Sequence, residues 1–104
     1  MTTEFSPFNI PKESFKISGI SFYQNYIIGI TYDTELKMEL EPENAYDSTA
    51  IRIVFNGNTI GYVPNANDRI KQLCTNNINE PLKIINISKI KDITGIRVIP
   101  KCFV

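Results

Sequence analysis

The apolar pattern of the chain predicts an all-β domain, mainly β with one helix: about six short strands and one short α-helix in a small β-barrel or sandwich. Three observations carry that reading. Leu36, Met38 and Leu40 alternate with Lys37 and Glu39, the period that sends every second side chain to one face of a strand. Turn signals recur at roughly eight- to twelve-residue intervals, with Asn56-Gly57 the strongest. Only Asn65 to Asn76 spaces its apolar residues, Ile70, Leu73 and Cys74, three and four apart as a helix does.

Residues 1–13 hold two of the prolines and little periodicity, so they read as an extended arm ahead of one folded domain over 14–104. Phe15 and Ile17 share a strand face, and Gly19 breaks the row as at a bulge or barrel corner. Phe22 to Tyr32 is aromatic and β-branched, which fits a strand or a long loop equally. The Leu36–Leu40 strand ends at Pro42, and a polar loop carries Asn44 to Thr49. Ala50 to Phe55 is apolar on both faces apart from Arg52. Asn56-Gly57 then supplies the two positive-φ positions of a type I′ turn, and Thr59 to Val63 returns until Pro64 stops it. Asn67 or Asn65 caps the helix. Leu82 to Ile93 and Ile96 to Val104 form a last pair of strands, joined by a turn expected at Thr94-Gly95.

With 104 residues, 42% of them hydrophobic, the chain supports one domain with a core of its own. It has no run of about 18 apolar residues, so no membrane-spanning helix is expected. The N-terminus lacks the basic-then-apolar order of a signal peptide, and a cytoplasmic location follows as the expectation. Eleven basic residues balance eleven acidic ones, which argues against a non-specific polyelectrolyte binder. Without histidine, and with Cys74 and Cys102 far apart, neither a zinc site nor a histidine-based nucleophile–base pair is expected. Glu39, Glu41 and Glu43 are expected on one strand face, with nothing to shift one acid's pKa from its neighbour's. No cofactor loop is present. The chain is therefore expected to bind rather than to catalyse, and to need no cofactor.

The informative stretch is Glu41-Pro-Glu-Asn-Ala-Tyr-Asp-Ser-Thr-Ala-Ile-Arg-Ile-Val54, closed by Ile60-Gly-Tyr-Val-Pro64. A turn uses Asn44 and Asp47 for their short side chains, but no turn geometry asks for a tyrosine between them. A ring and a carboxylate side by side on a loop suit a nucleotide or another small polar group. The bland alternative has Asp47 bonding its own loop while Tyr46 covers the barrel end.

Together with Ile17-Ser-Gly-Ile-Ser-Phe-Tyr23, these segments resemble the HIRAN domain, met at the N-terminus of DNA translocases that remodel stalled forks and also as a free-standing protein. The likeness runs from about Phe15 to about Leu73. It implies an OB-like, or SH3-like, six-stranded barrel that binds single-stranded DNA in repair or replication. It also implies that the Tyr46-Asp47 pair lines the groove for a 3′ end, with the acid near the terminal hydroxyl. A carboxylate accepts a hydrogen bond from a free 3′-OH and repels a phosphate, while a ring stacks on a base whatever its identity. This requires Asp47 to border an open groove.

Phe22, Tyr23, Asn44, Tyr62, Asn65 and Arg69 complete the candidate nucleic-acid site. Phe22 and Tyr23 are treated as strand residues, one inward and one offered for stacking. Fork-remodelling relatives carry an arginine where this chain has Ser21, and a basic or imidazole-bearing face where it has Tyr62 and Asn65. Arg69 and Lys71 are the nearest replacements; Lys83, Lys89, Lys91, Arg97 and Lys101 form the one local cationic excess. Arg52 is expected to pair with an acid. A helicase or nuclease partner would act on what a lone module finds. The rival reading is a protein-interaction or inhibitor module of a mobile element or phage, favoured by the charge balance and the missing arginine.

Overall fold

The computed structural model describes residues 10–104; the first nine residues of the expected arm lie outside the described part. The strands are β1 (Phe15–Lys16), β2 (Glu35–Leu40), β3 (Ile51–Phe55), β4 (Asn58–Tyr62), β5 (Leu82–Ile90) and β6 (Ile93–Pro100), with one helix, α1 (Asp68–Asn76). Two 3-10 segments, Ile20–Tyr26 and Lys101–Phe103, complete the list among the described residues. All strand pairs are antiparallel, in the order β1-β6-β5-β2-β3-β4. The sheet curls into an OB-like half-barrel until its two ends meet. There Ser18 and Tyr62 exchange backbone hydrogen bonds of 2.8 and 2.9 Å.

That meeting depends on Gly61. A β-carbon there would lie 2.3 Å from Ile17 Cγ2 and 2.7 Å from the Ser18 carbonyl, so only glycine lets the two backbones come together. A bulge sits opposite, between Ile53 and Val54, and adds the local bend that closing a sheet needs. The core inside the curl includes Ile17, Leu36, Met38, Ile51, Ile53, Ile60, Leu82, Ile84 and Val98. Helix α1 covers one opening with Ile70 and Cys74. The Asn67 side chain caps it, accepting from Ile70 N–H at 3.1 Å. Burial pushes the Cys74 thiol up to about 12, and both cysteines are free.

Three expectations need correcting. Phe22 and Tyr23 lie on the 3-10 segment Ile20–Tyr26, not on a strand; Gly19, at φ 73°, turns the chain, and Phe22 N–H donates to its carbonyl. The final hairpin turns at Lys91-Asp92, whose φ values are 50° and 67°, while Thr94 and Gly95 lie inside β6 opposite Lys89 and Ser88. The pairing of Ile87 with Ile96 and of Ile84 with Val98 sets that register; core packing outranked the stronger local turn signal. Finally, β2 ends at Leu40, so Glu41 and Glu43 fall beyond it and share no strand face with Glu39. The Asn56-Gly57 turn stands as read, with φ of 52° and 80°.

Candidate functional site

The loop between β2 and β3 is built by its own polar side chains. Asn44 Oδ1 accepts from the N–H groups of Tyr46 (2.9 Å) and Asp47 (3.1 Å), an Asx turn. Its amide donates to Glu41 Oε1 at 2.7 Å, and the Tyr62 hydroxyl donates to the same oxygen at 2.9 Å. Asn44 therefore shapes the site from behind. Burial first, and the Glu41 bond second, push the Tyr62 phenol up to about 12; the Tyr23 hydroxyl lies beside it. With the loop amides committed, the Tyr46 ring projects outward and is 99% exposed.

Asp47 is held from two sides. Oδ1 accepts from the Thr49 N–H (2.9 Å) and the Thr49 hydroxyl (2.6 Å), and Oδ2 from Lys71 Nζ at 2.6 Å. The Lys71 bond, followed by those from Thr49, lowers its pKa to about 2. Only one main-chain amide is involved, and the side chain stays a quarter exposed. A carboxylate offers about four acceptor positions, so with three taken one remains on Oδ2. Beside it opens a groove of about 210 Å³, lined by Asn44, Tyr46, Asp47, Tyr62 and Asn65 together with Ser18, Ala50 and Val63. The ion pair with Lys71 cancels the charge of Asp47 locally, so repulsion of a phosphate is weaker than an isolated carboxylate would give.

Five of the eight candidate residues thus converge. Tyr23 reaches the edge through its hydroxyl and otherwise packs on the core. Phe22 is 85% exposed but lines no part of the groove. Arg69 points elsewhere: its guanidinium donates to the Lys12 carbonyl at 2.6 Å. Arg52 pairs with Glu39 across β2 and β3, as expected, and also donates to Thr59. The cationic cluster divides. Lys101 pairs with Glu35 and Arg97 donates to Ser14, while Lys83, Lys89 and Lys91 lie exposed along the β5–β6 hairpin.

One contributor escaped the sequence reading, and a second was named there without its partners. Glu41 looked like one of three alternating acids, and nothing local shows that Tyr62 and Asn44 both come to it. Lys71 was named with Arg69 as the nearest replacement for the family's basic face, with no sign of what it would bond. Yet its ammonium gives its three hydrogen bonds to Asp47, Thr49 (2.7 Å) and Asn65 (2.6 Å), joining the loop, the β4–α1 link and the helix. Lys71 also lines a larger cleft of about 560 Å³, together with Leu40 and Pro42.

A model described as the HIRAN domain matches residues 13–96. No curated protein and no solved structure matches the chain.

Proposed function

The chain belongs to the HIRAN domain family, whose members are nucleic-acid-binding modules, and on that premise we propose that it binds single-stranded DNA and takes the 3′-hydroxyl end in the groove beside Asp47. What supports this reading is Asp47 in the lining of an open groove next to a fully exposed tyrosine ring, with one acceptor position of its carboxylate not taken by Thr49 or Lys71. The terminal hydroxyl donates to that position, and Tyr46 stacks on a neighbouring base. Because Lys71 balances the carboxylate, selection of the end rests on this hydrogen bond and on space. Stacking contributes about 1–3 kcal/mol per base. The module's place is then DNA repair or replication, binding without catalysis, with a helicase or nuclease acting on the captured end.

Fluorescence anisotropy of a short single strand ending in a 3′-hydroxyl or a 3′-phosphate tests the proposal. The hydroxyl end binds better, and Asp47→Ala removes the difference. A protein-interaction module is the competing reading, favoured by Ile90 and Ile93 exposed at the tip of the β5–β6 hairpin. Negligible signals from both oligonucleotides put that reading ahead.

A further inference from the structure

We propose that Lys71, with Asn65, is the phosphate subsite of this groove: on binding, the ammonium keeps Asp47 and Thr49 and passes its third hydrogen bond, now given to Asn65, to the phosphate preceding the terminal nucleoside. The inference rests on the end-binding reading above and adds the charge that reading lacks. Among the described residues no cation lines the groove itself. Arg52, Arg69, Arg97 and Lys101 are each bonded to other groups. Lys71 is the cation bonded directly to groove-lining side chains, Asp47 and Asn65.

Its three bonds are not equivalent. Those to Asp47 and Thr49 tie it to a single turn, in which Thr49 also donates to Asp47. The third goes to a neutral amide oxygen at the groove wall. A charged phosphate oxygen adds to the ammonium's hydrogen bond a Coulomb attraction that a neutral amide oxygen does not offer, so the exchange runs toward phosphate. The amide nitrogen of Asn65 is then free to donate to the same group. Terminal hydroxyl and preceding phosphate belong to one nucleotide, and the bonded pair Asp47–Lys71 sets an acceptor and a donor side by side for them.

The test is the salt dependence of binding to an oligothymidylate with a 3′-hydroxyl. Each phosphate neutralised on a single strand contributes about 0.7 to the slope of log K against log salt. Lys71→Met lowers the slope by that amount and Lys71→Arg restores it. Asp47→Asn/Lys71→Met, which keeps the pair neutral, shows the same loss and separates a missing contact from an unbalanced acid. Asp47→Ala removes the end preference, while the Lys71 contribution to the slope persists because Thr49 still holds the ammonium and no acid offsets its charge. Thermal melting checks that each variant folds. A slope unchanged in Lys71→Met, even with weaker binding, overturns the subsite while leaving the end reading intact. Wild-type indifference to the end chemistry, with the slope still falling in Lys71→Met, overturns the end reading and keeps the phosphate contact. No binding of any strand overturns both.

Discussion

At the scale of single residues, Asp47 and Tyr46 show how one turn divides its labour. Asn44 takes the backbone amides, which leaves the tyrosine ring with no structural task. Tyr46→Ala should therefore leave the melting temperature unchanged within the roughly ±0.5 kcal/mol typical of surface positions, and weaken strand binding by the loss of one stack, about 1–3 kcal/mol. A melting point lowered by several degrees would show that the ring serves the core. Asp47 carries its own signature. Its pKa is lowered from 3.8 to about 2, first by the Lys71 bond and then by Thr49. A depressed folded pKa means that the pair's contribution is fully present above pH 3.8 and is lost as the pH falls toward 2. Carboxyl carbon titration by NMR should find Asp47 ionised at pH 3. In Lys71→Met the value should rise toward 3.8 without reaching it, because both Thr49 bonds remain.

At the scale of elements, closure of the curl and shape of the loop depend on the same strand. Gly61 of β4 admits Ile17 and Ser18, while Tyr62 beside it ties the strand to the loop through Glu41. Gly61→Ala places a β-carbon 2.3 Å from a core methyl and 2.7 Å from a carbonyl, and such overpacking costs about 1–3 kcal/mol. Urea denaturation should show that loss, and the Ser18 and Tyr62 amides should lose their hydrogen-exchange protection first. Tyr62→Phe removes only the hydroxyl. Losing one bond to a charged acceptor costs about 1.5–3 kcal/mol, and the Asn44 amide keeps its hold on Glu41, so the loop should loosen without unfolding the curled sheet. Ultraviolet titration gives an independent check, since the raised phenol keeps its proton to about pH 12. The sign follows: stability from this group is complete below pH 10 and drains away as the pH rises through 12.

At the scale of the whole molecule, the two thiols report on different events. Cys74 is fully buried on the inner face of α1 and Cys102 is exposed after β6, so a thiol reagent should modify one cysteine of the native protein and the second only at the rate of unfolding. Rapid modification of both would mean that α1 opens independently of the sheet. Much of the architecture was legible in the chain because it depends on neighbours in sequence: the β2 alternation, the Asn56-Gly57 turn, and a helix cap at Asn67 or Asn65. The final turn was not. Lys91-Asp92 carries a weaker turn signal than Thr94-Gly95, and only the pairing of β5 with β6 over the core set its place. The candidate site divides along the same line. By itself the sequence determined that Asn44, Tyr46 and Asp47 form a polar turn, since short side chains bonding adjacent amides need nothing distant. Only the tertiary structure decided that Lys71, 24 positions from Asp47, neutralises the acid, that Glu41 joins Tyr62 to the loop, and that Arg69 turns away. Those contacts join segments that meet only after the sheet has curled and α1 has docked, and no local pattern encodes such a meeting.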